Sequence, residues 1–229
     1  TPVCFCDPKI DGVAVSLRYE EGNLVSAVTR GDGEKGDEVF EQAKTIRSIP
    51  LCLRGKAPQV LEVRGEIFMP NTSFNTINAQ REQHGDPLFA NARNATAGTL
   101  KSLDPAVVAS RKLAFLAHGK GEIDWPDAPK TWLAFVDAIR LLGIPVSGQS
   151  QLCSDINEVE AVVTGFAPSR ASLDYGVDGM VVRVNSFADQ VELGSTSKSP
   201  RWCIAFKYPA EQGQTKLSRV DWQVGKNGT

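Results

Sequence analysis

The sequence predicts an α+β fold in which helices flank antiparallel β-sheets. Residues 13–19 alternate apolar and polar side chains, which is typical of a strand with one buried face. Residues 132–142 instead place apolar side chains at helical spacing, at Trp132, Phe135 and Ile139. Strands and helices are interleaved without the regular strand–helix–strand rhythm of a parallel sheet, which favours antiparallel pairing.

The first predicted element is a β-hairpin that follows the tetrapeptide Lys9-Ile10-Asp11-Gly12. Residues 13–19 and 24–29 have strand patterns, and Glu20-Glu21-Gly22-Asn23 interrupt the alternation between them. Lys9 is therefore expected at the start of a strand.

Turn and capping residues divide the rest of the chain. Pro70 cannot donate to a strand ladder and ends the strand before it, while Asn71 begins a stretch of capping side chains. Residues 91–100 suit a tight turn that leads into a short helix, and the prolines within residues 120–130 predict a loop. The other predicted elements are helices over 37–45, 71–84, 132–142 and 157–166, strands over 60–69 and 113–118, and buried strands over 180–184 and 202–206.

Composition indicates a folded protein with an apolar core. The chain has 229 residues, 41% of them hydrophobic, which is enough for one large domain or two small lobes. Its net charge of -2 argues against a chain that coats nucleic acid by itself, so such contacts would come from local basic clusters or from parts outside this sequence. The sequence shows no signal peptide and no apolar run long enough to span a bilayer.

The five cysteines are odd in number and irregularly spaced, which suits reduced thiols in the cytoplasm. Cys4 and Cys6 have no second ligand pair at zinc spacing. We therefore expect an edge strand of small apolar residues there, and no zinc site.

Lys9 is a candidate nucleophile. A lysine amine attacks phosphorus only when neutral, and free lysine titrates near ~10.4, so desolvation or nearby cations must favour the neutral form. A Lys-x-Asp-Gly tetrapeptide alone occurs often by chance and also fits a solvated strand-end lysine. Four charged segments that follow in order strengthen the nucleophile interpretation. They are Thr29-Arg30-Gly31-Asp32-Gly33, Val63-Arg64-Gly65-Glu66, Val177-Asp178-Gly179-Met180-Val181-Val182-Arg183 and Trp202-Cys203-Ile204-Ala205-Phe206-Lys207.

Together these segments resemble the adenylation core of NAD-dependent DNA ligases, and the similarity runs from about Cys6 to Gly228. The resemblance implies a nucleotidyltransferase fold of the ATP-grasp-like ligase type. It also implies that Lys9 attacks the α-phosphorus of NAD and expels nicotinamide mononucleotide. The AMP then passes to the 5′-phosphate of a DNA nick, where the 3′-hydroxyl displaces it. NAD and Mg²⁺ are the implied cofactors, and nicked double-stranded DNA is the implied partner.

The resemblance also assigns roles to charged residues. Arg30 is expected in the nucleotide pocket, Glu66 at the AMP ribose and Lys207 at the phosphate, where a cation offsets growing negative charge. Asp178 is expected beside magnesium, with at most indirect contact because that ion keeps several waters. Arg93 and Arg170 match arginines near phosphates of the substrate or nick, although a surface salt bridge is the alternative for each.

The sequence departs from the family at five positions. Asp7 replaces a glutamate expected at the adenine edge, and His118 replaces an aromatic ring, commonly Tyr, that stacks on adenine. Arg183 replaces a lysine, and the two are not interchangeable at a tight contact. Lys101 replaces an arginine and Ala92 a proline. We expect a working but divergent site, because Lys9, Arg30, Glu66 and Lys207 are retained.

Parts of the family's enzymes are expected outside this sequence. The chain begins at Thr1 and stops at Gly228-Thr229 without a closing element, so we expect a fragment. In the family a helical segment before the nucleophile recognises the nicotinamide half, and DNA-binding domains follow the core. We expect the adenylation domain to occupy residues 1–219, and residues 220–229 to hold a shortened first OB-fold strand, from Val220 to Gly228.

Two alternatives stay open at this stage. The chain could be a covalent nucleotidyltransferase with another donor or acceptor, such as an ATP-dependent or RNA-directed ligase. It could instead be an inactive paralogue that acts as a DNA-binding or scaffolding module, which Asp7, His118 and Arg183 motivate. Comparing NAD, ATP and GTP as donors separates the first alternative, and ligation by the intact protein would exclude the second.

Overall fold

A computed structural model of the chain describes residues 2–31, 35–197, 199–209 and 216–224. The strands are β1 (Cys4–Ile10), β2 (Val13–Glu20), β3 (Asn23–Thr29), β4 (Val60–Phe68), β5 (Ala114–Asp124), β6 (Gln151–Cys153), β7 (Val177–Val184) and β8 (Cys203–Lys207). The helices are α1 (Phe40–Ala43), α2 (Asn71–His84), α3 (Ala92–Leu100), α4 (Pro105–Ser110), α5 (Trp132–Leu141), α6 (Ile156–Phe166) and α7 (Phe187–Leu193), with a 3-10 helix at Ala167–Ser172.

The strands form two antiparallel sheets of four strands each, which confirms the predicted α+β class. Sheet A has the order β6-β1-β7-β8, and sheet B has the order β3-β2-β4-β5. The hairpin β2–β3 lies in sheet B, whereas the strand that carries Lys9 lies in sheet A. The short connection from Ile10 to Val13 therefore joins the two sheets directly beside Lys9.

Two apolar cores support these sheets. The larger lies between one face of sheet B and several helices, and includes Leu17, Leu61, Phe115 and Phe135. The smaller lies between sheet A and α6, and includes Cys6. Alternate residues on sheet B point away from the larger core, which leaves a polar face for a cleft between the sheets. No helix among the described residues is long and apolar enough to cross a membrane.

The start of the chain differs from the prediction. Cys4 and Cys6 lie in β1, which pairs with both β6 and β7, so this strand is internal and not an edge. Lys9 is near the end of β1, not at the start of a strand. The prediction was wrong because β6 is three residues long and has no recognisable strand pattern, so its pairing with β1 could not be read from local residues.

The last strand, β8, is also different from the prediction. Within the described part of the chain it pairs only with β7, and it is mostly exposed, with Ile204 69% and Phe206 47% accessible. Its apolar composition suggested burial, but no described element covers this edge of sheet A. The amino-acid composition of a strand indicates its β propensity more directly than it indicates how far its side chains are buried.

Several boundaries also shift. Helix α1 is shorter than the predicted 37–45, and β5 continues to Asp124, so residues 120–124 of the predicted loop belong to a strand. Helix α2 begins at the predicted Asn71, but its cap is tertiary, because the Asp174 carboxylate accepts a hydrogen bond from the Thr72 amide at 2.8 Å. Residues 216–224 contain no helix or strand and 225–229 lie outside the described residues, so the boundary at residue 219 stays a prediction.

Four elements were not predicted: β6, α4, α7 and the 3-10 helix. For α4 the signal was present, since Asp104 caps the helix and Pro105 occupies its first turn. Helix α7 likewise has a capping Ser186. These short elements lack a full period of apolar residues, so their caps were the remaining evidence.

Candidate active site

A cavity of about 1050 Å³ lies between sheets A and B. Strands β1 and β7 contribute one wall, strands β2, β4 and β5 another, and helices α1 and α3 close one side. Eight of the predicted site residues line this cavity: Asp7, Lys9, Arg30, Glu66, Arg93, Lys101, His118 and Arg183. Residues far apart in sequence therefore converge on one concave surface.

Lys9 projects into this cavity from the end of β1. Its amine donates to both carboxylate oxygens of Asp178, at 2.9 and 3.0 Å. The pair is partly shielded from solvent, with side-chain exposures of 26% for Lys9 and 34% for Asp178. The amine is thus neither free in solvent nor sequestered in the core, and a ligand in the cavity can reach it.

Glu66 and His118 form a polar pair on the sheet B side of the cavity. They lie on the adjacent strands β4 and β5, and His118 Nε2 is 3.2 Å from Glu66 Oε2. Glu66 is the more buried partner, with 13% side-chain exposure against 38% for His118. The carboxylate is therefore part of the cavity wall and not an exposed strand end.

Asp7 and Arg183 form a buried ion pair on the sheet A side. Arg183 Nη2 is 3.2 Å from Asp7 Oδ2, and the two side chains are 6% and 9% exposed. The hydroxyl of Ser150 donates to the other Asp7 oxygen, while Arg183 Nη1 donates to the His118 carbonyl at 2.9 Å. Two of the positions that depart from the family pattern thus contact each other.

Arg93 brings a second ion pair to the rim of the cavity. It extends from the first turn of α3 and donates to Asp11 Oδ1 at 2.8 Å. This hydrogen bond raises the pKa of the Arg93 guanidinium against the opposing effect of partial burial, and Glu66 and Asp178 raise it further. Arg93 is therefore within electrostatic reach of the carboxylates around Lys9.

Three predicted residues do not line the cavity, and one of them, Asp178, is the ion-pair partner of Lys9 described above. Lys207 is exposed at the end of β8, but Lys9, Gly179 and Lys207 are paired across β1, β7 and β8. Directly paired residues project from the same face of a sheet, so Lys207 shares the face that carries Lys9. Arg170 lies in the 3-10 helix, with its guanidinium over the Tyr208 ring at 4.9 Å.

The backbone at Gly12, which follows β1, packs closely against β4 of sheet B. A Cβ atom added there would lie 2.3 Å from the Ile67 carbonyl oxygen and 2.9 Å from Glu66 Cγ. Only a residue without a side chain permits this contact. Gly12 therefore brings the strand that carries Lys9 close to the strand that carries Glu66.

Several residues that shape the site were not predicted from the sequence. Asp11, Ser150 and Trp132 contact predicted residues but received no role. Asp37 and Glu38 add carboxylates to the cavity wall. Asp11 had a signal, since it belongs to the tetrapeptide of Lys9, whereas nothing in the local sequence marks Ser150 or Trp132 as neighbours of the site.

The arrangement suits an anionic ligand with a polar, hydrogen-bonding body. Lys9, Arg30, Arg93, Lys101 and Arg183 supply positive charge along the cavity. The buried Glu66 carboxylate can accept hydrogen bonds from ligand hydroxyl groups. A phosphorylated ligand bound against these groups would present its phosphorus to the Lys9 amine.

The chain is similar in sequence to known DNA ligases. The family model of the NAD-dependent DNA ligase adenylation domain matches residues 1–211. A DNA ligase from Alcanivorax borkumensis is 46% identical over 223 residues, and one from Akkermansia muciniphila is 47% identical over 225 residues. These alignments cover 97% of this chain but only 29% and 28% of the two relatives. The chain thus spans less than a third of the length of these relatives.

Proposed function

Because the chain belongs to the family of NAD-dependent DNA ligase adenylation domains, we propose that it carries AMP on Lys9 during DNA ligation. One observation supports this most directly: the Lys9 amine shares a cavity with Glu66 and with the basic side chains of Arg30, Arg93 and Lys101. A nucleotide needs such a combination, since hydroxyl groups require acceptors and phosphates require cations.

The proposed chemistry is a nucleophilic substitution at the α-phosphorus of NAD. The neutral Lys9 amine forms a nitrogen–phosphorus bond, the bond to the bridging pyrophosphate oxygen breaks, and nicotinamide mononucleotide leaves with that electron pair. The Lys9 nitrogen releases one proton to solvent when the amine becomes neutral and a second proton to solvent when the nitrogen–phosphorus bond has formed. Since Lys9 donates to Asp178 before reaction, this ion pair must separate as the amine turns towards phosphorus.

We propose that the nucleotide lies between the sheets. Glu66 accepts from the ribose hydroxyl groups, and the His118 ring packs on the adenine. Arg30, Arg93 and Lys101 face the phosphates from the open side. Lys207 also serves the phosphate, since its strand register directs it to the face of Lys9. Arg170 is proposed to contact DNA phosphate outside the cavity.

Magnesium fits this site as a hydrated ion with few protein ligands. No group of three or more His, Cys, Asp or Glu side chains among the described residues is arranged to enclose a metal. Asp178 is partly exposed beside Lys9 and would hold the ion, through water, by an oxygen of the type that magnesium prefers. When bound, the ion supplies positive charge next to the phosphate.

The later steps of ligation require parts beyond this chain. We propose that nicked double-stranded DNA accepts the AMP at its 5′-phosphate and that flanking domains of the same protein hold that DNA. Recognition of the nicotinamide half of NAD is assigned to a segment before the nucleophile. All five cysteines are free thiols, which is consistent with a reaction in the cytoplasm.

Intact-mass spectrometry tests the central proposal. The full-length protein that contains this chain should gain the mass of one AMP when given NAD and Mg²⁺, and Lys9→Ala should abolish that gain. Lys56→Ala, which removes an exposed lysine outside the cavity, is the matched control and should still be adenylated. Adenylation that survives Lys9→Ala would refute the assignment, and a preference for ATP or GTP over NAD would change the donor.

A second measurement tests the division of labour. The 229-residue chain should bind AMP but consume NAD slowly, because the proposed nicotinamide contacts lie outside it. Adding DNA should not correct this defect, since DNA acts in later steps. Rapid NAD consumption by the 229-residue chain would show that the nicotinamide contacts are within it.

A further inference from the structure

A continuous line of polar contacts runs along the cavity wall and connects sheet A to sheet B. Ser150 donates to Asp7, Asp7 pairs with Arg183, and Arg183 donates to the His118 backbone. The ring of His118 then contacts Glu66. The line therefore joins a buried ion pair to the two groups proposed to meet the adenine and the ribose.

Arg183 is enclosed on several sides. Its guanidinium lies 4.1 Å above the Trp132 ring, and its two terminal nitrogens are engaged by Asp7 and the His118 carbonyl. Only 6% of the side chain is exposed, and Nε is buried without a hydrogen-bond partner among the described residues. An arginine held in this way has little surface left for a ligand, although it borders the cavity.

Asp7 is equally committed. One of its oxygens accepts from Ser150 and the other pairs with Arg183. Asp7 is directly paired with Val181 across β1 and β7, so it reaches Arg183 along a diagonal on the same face. A short acidic side chain and a long basic one span that diagonal. Lengthening the acid and shortening the base together would preserve the span, whereas either change alone would not.

We propose that Asp7 and Arg183 act as one positioning unit, which sets the His118 ring and through it Glu66, and does not contact the nucleotide. That the ligand is a nucleotide rests on the proposed function. The unit itself rests on the contacts just described. Within this unit Arg183 links the two sheets, since it extends from β7 and donates to the backbone of β5.

The test is a double-mutant cycle with Asp7→Glu, Arg183→Lys and the combined variant. All three keep both charges, so differences report geometry. Asp137→Glu with Arg140→Lys is the matched control, because that pair is exposed on α5 and lies outside the cavity. Circular dichroism establishes whether each variant folds.

The first measurement needs no ligand. The chain has two histidines, so nuclear magnetic resonance can follow the ring signals of His118 with His84 at the end of α2 as an internal reference. Each single variant should shift the His118 signals, and the combined variant should return them towards those of the parent. His118 signals that stay fixed in both single variants would overturn the proposal.

The second measurement is affinity for AMP and for adenosine by calorimetry. Each single variant should bind both ligands about tenfold more weakly or worse, and the combined variant should recover most of this loss, as coupled neighbours do. A loss confined to AMP would show that Arg183 contacts phosphate directly, and purely additive losses would show that the two residues act independently. Either result overturns the proposal.

Two further outcomes are also decisive. If Arg183→Lys does not fold, recovery of folding and of the His118 signals in the combined variant supports the unit, and failure of the combined variant overturns it. If the parent chain binds neither AMP nor adenosine, the proposed function fails, while the resonance cycle still decides whether the two residues position His118.

Discussion

At the residue scale, Lys9 is held by a partner from which the proposed reaction requires it to separate. Asp178 accepts two hydrogen bonds from the amine, and a charged amine cannot attack phosphorus. The partial exposure of both side chains makes this pair separable, since solvent or a ligand can reach it. The ion pair therefore describes a resting state in which Lys9 is directed to the cavity and kept from other partners.

We expect that replacing Tyr19 by phenylalanine stabilises the protein. This side chain is fully buried on the core face of β2, and its hydroxyl has no hydrogen-bond partner among the described residues. Burial raises the pKa of the phenol, so the group stays neutral. Because an unsatisfied buried hydroxyl costs about 1–3 kcal/mol, Tyr19→Phe should raise the free energy of unfolding measured in urea. Lower stability in the phenylalanine variant would show that the hydroxyl has a partner.

We expect Cys52 and Cys6 to be alkylated at different rates. Burial raises the pKa of the Cys6 thiol, and its contact with Cys153 raises it further. A raised pKa leaves less thiolate at a given pH, so iodoacetamide at pH 8 should modify exposed Cys52 at least about tenfold faster than Cys6. Peptide mass spectrometry over time gives both rates. Equal rates would mean that β1 opens often under native conditions.

At the element scale, β1 positions two of the predicted site residues where the two sheets meet. It is an internal strand of sheet A, and the residues that follow it lead at once into β2 of sheet B. One strand therefore carries both Asp7 and Lys9 to the junction of the sheets. The close approach at Gly12 then holds this junction against β4 and Glu66.

This contact predicts a large difference between two glycine substitutions. In Gly12→Ala the new methyl group would lie 2.3 Å from a backbone oxygen, so the variant should lose about 1–3 kcal/mol of stability. Gly165→Ala, in α6 with nothing within 4 Å of the added atom, should instead gain about 0.5–1 kcal/mol. Urea unfolding compares the two variants, and equal stability would contradict the close packing at Gly12.

At the scale of the whole molecule, the site exists only where the two sheets meet. Sheet A supplies Lys9 and Asp178, sheet B supplies Glu66 and His118, and Arg183 connects the sheets. A ligand between the sheets would add contacts to both. Binding should therefore stabilise the folded chain as one unit.

Thermal unfolding with AMP checks this expectation. A ligand that binds only the folded chain stabilises it by about 2.7 kcal/mol at a hundredfold excess over Kd, so Tm should rise by several degrees. Glu66→Gln should reduce the rise, because the proposed ribose acceptor loses its charge. Glu82→Gln, an exposed position on α2, should leave the rise unchanged. Equal rises in the parent and Glu66→Gln would exclude Glu66 from the ligand contacts.

The sequence by itself determined the α+β class, the hairpin β2–β3, the helices with full apolar periods and the family. These depend on local periodicity, turn residues and ordered motifs, which are readable along the chain. It also identified eight residues that line one cavity, including Lys9 and Glu66, because the family motifs mark them.

Only the tertiary structure decided how those residues are paired. The internal position of β1, the exposure of β8 and the cap of α2 by Asp174 all depend on neighbours distant in sequence. The same is true of Asp7 with Arg183, which appeared as separate departures until the strands were placed side by side. Side-chain contacts across strands follow from register, and register is fixed when the sheets and cores assemble together.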